Sequence, residues 1–138
     1  MRLIEIYHCL CDETRLRIMH LLAQAPLCVC HLQEVLGLSQ VATSKHLAYL
    51  RKRGLVVARR QGQWVIYSLP PGPPRELEWQ LRCLADCREA HPLLAADLRT
   101  FQTIRFDCER RSEGLATAPR SPSSSRHRRV PPTTRTSR

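Results

Sequence analysis

No apolar stretch of this 138-residue chain approaches the ~20 residues needed to cross a bilayer. A membrane partner is therefore not expected. The opening residues, Met1 to His8, have no long apolar core and no small-residue cleavage site, so no secretory signal is expected either. That reading places the protein in the cytoplasm, where thiols are kept reduced. Aromatic residues are scarce, at 5% of the chain, and leucines are many, which favours a helical core. No nucleophile–base pair, glycine-rich phosphate loop or paired carboxylate stands out, so the chain does not read as an enzyme.

Acidic residues are also in short supply, 12 against 22 Lys and Arg, and the formal net charge is +10. The excess is uneven. Residues 111–138 hold seven Arg and one Glu, whereas residues 1–110 carry a net +4. The folded part is thus only mildly basic, and net charge alone is weak evidence for a nucleic-acid partner. The tail from 111 to 138 is rich in Ser, Pro, Thr and Arg and has little to bury, so it is expected to be disordered. It reads as a solvated tail or as a source of sequence-independent attraction to DNA phosphate.

Residues 1–110 read as helices with one hairpin, mainly α with a small β component. A short helix is expected over Leu3 to Leu10. Asp12 suits the N-cap of a second helix that buries Leu16, Met19 and Leu22 or Ala23, and Pro26 ends it. A third helix starts near Cys28, turns Leu32, Val35 and Leu36 inward and closes at Gly37. Ser39 caps a fourth, with Thr43, Leu47 and Leu50 buried and Gly54 at its end. The period then changes. Leu55 to Arg60 and Trp64 to Leu69 are β-rich, with a tight turn at Gln61-Gly62. After Pro70 to Pro74, a last helical region runs from about Arg75 to Phe106, interrupted at Pro92.

Helix, glycine turn, helix and hairpin follow one another in the order of a winged helix-turn-helix, from roughly Asp12 to Leu69. The second helix of such a pair presents its N-terminal residues to base edges in the major groove. Here these are Ser39, Gln40, Ala42, Thr43, Ser44, Lys45 and His46. Gln can bond adenine in bidentate fashion, Ser and Thr can meet base or phosphate, and Lys45 suits phosphate. Arg51, Lys52 and Arg53 fit the negative end of the helix dipole as well as DNA. The hairpin tip offers Arg59, Arg60 and Gln63 to the adjacent backbone or minor groove.

Four ordered blocks carry a resemblance: Leu10 to Ile18, Leu27 to Leu32, Gly37 to Arg51, and Gly54 to Val56 with Gly62 to Leu69. They cover about half the chain and resemble the ArsR/SmtB family of bacterial metal-responsive repressors. The resemblance implies a homodimer that binds double-stranded operator DNA and leaves it when an ion binds. It assigns the first and last helices to the dimer surface, and Leu77, Leu81, Leu84 and Ala85 offer an apolar stripe there.

Seven cysteines need an account, and an odd number cannot all pair internally. Cys28-Val29-Cys30 is the sharpest chemical feature, because thiolates select soft ions. Within an ideal helix, side chains two apart point nearly opposite ways, each residue turning ~100°. On that geometry the two thiolates share an ion only if the first turn unwinds, which suggests a switch. The resemblance points to the arsenite- and antimonite-responsive branch, marked by Leu-Cys-Val-Cys, an acidic residue and Leu. Two departures stand out. His31 occupies the acidic position, and Gln33 stands where some members place a third cysteine.

Cys11 or Cys9 is a candidate third ligand, as is an external thiol; each also fits a small buried slot. The expected ligand set is therefore Cys28, Cys30 and Cys11, with As(III) or Sb(III) as inducer and Cd(II), Pb(II) or Zn(II) as further candidates. Cys83 and Cys87 share a helix face, which suits an ion, a dithiol or a dimer contact. Asp86, Glu89 and His91 do not reproduce the paired pattern of the family's zinc-binding last helix. His8, His20, His31 and His46 read as structural or DNA-facing. The competing function is a thiol redox or persulfide sensor on the same fold.

Overall fold

In the computed structural model the backbone is described for residues 2–116 and the side chains for residues 2–105. Helix α1 (Arg2–Leu10) turns Ile6 and Cys9 into the core. Asp12 then caps α2 (Glu13–Leu22), its carboxylate accepting the Arg15 amide at 2.9 Å. After Pro26 the chain extends as a two-residue strand, β1 (Leu27–Cys28), before α3 (Val29–Leu36) begins. Gly37 closes α3 in the left-handed region, at φ 66°. Ser39 caps α4 (Gln40–Lys52) by accepting the Ala42 amide, and Thr43, Leu47 and Leu50 form its buried stripe.

The wing is the hairpin of β2 (Val57–Gln61) and β3 (Trp64–Ser68), joined through Gly62 and Gln63. The turn thus lies one residue later than Gln61-Gly62. Only its first central residue has positive φ, the pattern of a type II′ turn, which matches the twist of the flanking strands. Strand β1 adds to the other side of β3, giving the antiparallel order β1-β3-β2 with Leu27 opposite Tyr67 and Cys28 opposite Ile66. No third strand is expected from the sequence, because two residues are too few for any periodicity to show.

The C-terminal part comprises α5 (Arg75–Asp86), a 3-10 turn at Arg88–Ala90 and α6 (Pro92–Ala116). The break falls at Pro92, which opens α6 as its first residue, where the missing N–H costs nothing. Residues 111–116 belong to α6, past the expected start of the tail; the rest of that tail, 117–138, lies outside the described residues.

Ile6, Ile18, Met19, Leu21, Leu32, Leu47, Leu50 and Leu77 are fully buried in one core cluster. Leu77 and Leu81 are part of it, because α5 packs on α1 and α2 of its own chain. The α5 stripe is therefore largely used up inside the chain. Exposed apolar side chains include Leu3, Ile4 and Tyr7 on α1 and Trp79 on α5. A buried two-point ion pair ties α2 to α6: Arg17 donates from Nε and Nη2 to the two oxygens of Asp97, at 2.7 and 2.8 Å.

Candidate nucleic-acid interface and thiol site

The outer face of α4 is narrower than the sequence suggests. Gln40 and Lys45 are exposed, and with Ser44 and Ala48 they line a shallow depression. Ser39 is exposed but holds the helix cap. Thr43 is fully buried, and its hydroxyl donates to the Ser39 carbonyl at 2.9 Å, so it does not reach a base edge. Its position on the Leu47–Leu50 stripe accounts for that. Ala42 and His46 are half-buried, and His46 Nδ1 lies 3.6 Å from the Asp12 carboxylate, which ties it to the start of α2.

One residue on this face escapes the sequence reading. Val41 is 65% exposed between Gln40 and Lys45. A β-branched apolar side chain standing in solvent at the start of such a helix suits contact with a thymine methyl group. Its signal was there: Val41 is apolar but off the Thr43–Leu47–Leu50 stripe.

At the end of α4, Arg53 stacks on the Tyr49 ring at 3.5 Å, and Arg15 covers the same ring at 4.0 Å. Arg53 thus has a structural partner within the chain, whereas Arg51 and Lys52 are exposed. On the wing, Arg59, Arg60 and Gln63 are exposed. Trp64, at the foot of β3, is 51% exposed.

The thiol site lies between these two surfaces. Cys28 sits in β1 with an extended backbone, ψ 161°, and only Cys30 is inside α3. The opposed directions expected within a helix therefore do not arise. Cys28 turns toward Cys30, and the structure joins the two by a disulfide, with their Cα atoms 5.4 Å apart. The pair meets while the first turn of α3 stays regular, so unwinding is not required.

His31 joins this pair. The two sulfurs and an imidazole nitrogen all lie within 4.8 Å of one another, the one such group of three among the described residues. Cys11 is not in it; that residue follows α1 and is exposed. Cys9 is a core residue, its thiol pushed up by burial and pulled back in part by Arg53 and Arg15. Cys83 on α5 and Cys87 just past its end are exposed and hydrogen-bonded to each other, which raises the Cys87 thiol. Cys108 lies outside the described side chains.

Cys28, Cys30 and Gln33 form one wall of a cleft of about 310 Å³; Gln40 of α4 and Gln63, Trp64 and Val65 of the wing form the others. The sulfur donors are soft, and the cleft beside them opens on both α4 and the wing. No helix among the described residues is long and apolar enough to cross a membrane.

The chain is similar to known proteins in sequence and in fold. Residues 12–57 match the family described as bacterial regulatory protein, arsR family. The chain is 42% identical over 85 residues to the arsenic resistance transcriptional regulator ArsR1 of Pseudomonas putida, covering 61% of this chain and 66% of that protein. It is 49% identical over 72 residues to the arsenical resistance operon repressor of Escherichia coli, covering 51% and 62%. It thus spans slightly less than two thirds of the length of these relatives. Among solved structures, HlyU of Vibrio cholerae superposes with a TM-score of 0.55 at 35% identity, covering 60% of this chain and 87% of that one. The reduced form of HlyU superposes with the same score. The chain is a winged helix-turn-helix protein and belongs to the arsR family of bacterial regulatory proteins.

Proposed function

We propose that this chain is a transcriptional repressor that binds operator DNA as a homodimer and loses affinity for it when a soft ion occupies Cys28 and Cys30. As(III) and Sb(III) are the leading inducers, in keeping with two relatives named for arsenic resistance. Residues 1–116 form the regulatory unit, and the Arg-rich stretch beyond them adds attraction to phosphate that is independent of sequence.

One observation carries the reading. Cys28 belongs to three parts at once: it pairs with Ile66 of the wing strand, it precedes the first turn of α3, and it lines the cleft with Gln40 and Gln63. Helix α3 packs in turn on α4. A rearrangement at Cys28 therefore has two short routes to the DNA-facing surface, through β1 into β3 and through α3 into α4. An ion at this site would supply charge and fixed bond directions to the two sulfurs. Everything else in the switch is done by packing within the chain.

The dimer is supported by area and by unpartnered surface. One short helix and one wing make a small contact with DNA, and a two-fold copy doubles it. Leu3, Ile4 and Tyr7 of α1, 38–49% exposed, offer an apolar face for that copy.

The bonded Cys28–Cys30 pair favours a second reading, a repressor that senses thiol oxidation or persulfides. Arsenite titrated against operator-bound protein in excess reductant separates the two. Release under reduction supports the ion reading; release only by oxidant or polysulfide overturns it in favour of the second.

A further inference from the structure

Val41 is the most exposed large apolar side chain among the described residues, at 65%. It stands at the second position of α4, in a turn fixed by its own cap. The Ser39 hydroxyl accepts the Ala42 amide at 3.2 Å, and the Thr43 hydroxyl donates to the Ser39 carbonyl at 2.9 Å. A β-branched side chain in a helix keeps one strongly preferred rotamer. Val41 is therefore a stiff apolar group held in solvent, on a helix whose buried stripe of Thr43, Leu47 and Leu50 faces the other way.

Its surroundings restrict what can cover it. Val41, Ser44, Lys45 and Ala48 recur at spacings of three and four, so they share one helix face, and with Gln40 they line the depression there. Arg51 and Lys52, both exposed, continue that face at the same spacing. The face opens with an apolar group, passes over small side chains and ends in cations, and α4 contains no acidic residue. That charge pattern fits a polyanion. At base edges in the major groove of duplex DNA, the apolar feature is the C5-methyl of thymine. Against the other edges Val41 would cover polar atoms without bonding them, which weakens binding. Attraction to the methyl and exclusion of the alternatives thus act in the same direction.

We infer that Val41 is a specificity-determining residue for DNA. It packs on a thymine methyl in each operator half-site, while Gln40, one residue before it, bonds the adenine of the adjoining pair. This rests on the reading of α4 as the helix that enters the major groove. Each half-site read in this way contains two adjoining A·T pairs. Val41 touches no phosphate, so it sets the choice of sequence and not the salt dependence of affinity. Lys45, Arg51 and Lys52 supply the latter.

The test starts from a duplex that the reduced, full-length wild type selects from a randomised library. Each thymine is then replaced in turn by deoxyuridine, which lacks only the C5-methyl. Kd is read by fluorescence anisotropy for wild type and for Val41→Ala, a change to the best helix former whose side chain is too short to reach the methyl. Burying one methyl is worth about a fourfold change in Kd, so one deoxyuridine in each half-site should weaken wild type by about that factor. The same replacement should leave Val41→Ala unchanged. The salt slope of the variant should equal that of wild type, since no phosphate contact is lost. Selection repeated with the variant should lose the thymine preference at that position.

Equal weakening of both proteins by deoxyuridine assigns the methyl to another residue and overturns the proposal. A wild type indifferent to every deoxyuridine overturns it as well. A parallel loss of affinity for all duplexes in Val41→Ala, with the deoxyuridine effect retained, marks a structural role and also overturns it. A wild type that selects no sequence overturns the reading of α4 on which the proposal rests.

Discussion

Asp97 and Arg17 are both nearly buried, and each is the other's partner at two points. The pair holds the Arg17 proton more firmly than usual, chiefly through the hydrogen bond from its guanidinium. Removing one member leaves the other charged in a poorly solvated place, which typically costs ~3–5 kcal/mol. Asp97→Ala should therefore lower stability by about that amount in urea unfolding, and Arg17→Met with Asp97→Leu should recover most of it. A loss below ~1 kcal/mol in the single variant would mean the pair is solvated in solution.

His20 sits close by, fully buried, with no hydrogen-bond partner for either ring nitrogen among the described residues. Burial pushes its pKa down, Arg88 pushes the same way, and Asp97 opposes them. The sign follows directly. The unfolded chain takes up the His20 proton near pH 6.5, whereas the folded one resists it to lower pH. Stability is then complete above about pH 6.5 and declines as pH falls toward the folded value, at about 1.4 kcal/mol for each unit of depression. Denaturant midpoints of wild type and His20→Leu, compared from pH 7.5 to 5, should show a steeper fall in the wild type. Parallel curves would remove His20 from the account.

At the scale of elements, the wing depends on one backbone conformation. Gly62 has φ 62°, with open space where a Cβ would stand. Gly62→Ala should cost about 1–2 kcal/mol through backbone strain alone, and operator affinity should fall because the tip is re-aimed. Arg59 and Arg60 act differently. Each phosphate contact removed lowers the salt slope of binding by about one. Arg59→Ala with Arg60→Ala should therefore reduce the slope by about two in anisotropy titrations at several salt concentrations. An unchanged slope would place the wing arginines away from the backbone.

Most elements were legible because their signals are local. Asp12 and Ser39 cap as expected, Gly37 closes α3, and the Thr43–Leu47–Leu50 stripe packs inward. What was hidden depended on partners distant in sequence. Strand β1 exists only because β3 offers it an edge. That strand puts Cys28 outside the helix, which makes the unwinding argument unnecessary and lets His31 approach the sulfurs. Thr43 counted both as core and as a base contact, and its burial settles the matter for the core.

At the scale of the whole molecule, two of the four residues of the α5 stripe, Leu77 and Leu81, face the chain's own core, whereas Leu84 and Ala85 are only half-buried. Periodicity identifies an apolar face but not what covers it; here Leu77 and Leu81 are covered by the chain's own α1 and α2. Leu3, Ile4 and Tyr7, exposed together on α1, are the face proposed for a second copy. Ile4→Glu with Tyr7→Glu should shift sedimentation from dimer to monomer and weaken operator binding, while leaving helix content intact. A dimer that persists would move the interface elsewhere.

The central claim is that the thiol pair between the wing and α4 controls DNA affinity. Its most direct measurement is the operator Kd in excess reductant, with and without arsenite, for wild type and for the variant carrying both Cys28→Ser and Cys30→Ser. Couplings between sites of this kind are typically 5–150-fold. The account predicts that arsenite weakens wild-type binding by a factor in about that range and leaves the double variant unchanged. Equal weakening of both proteins, or none in the wild type, would contradict it.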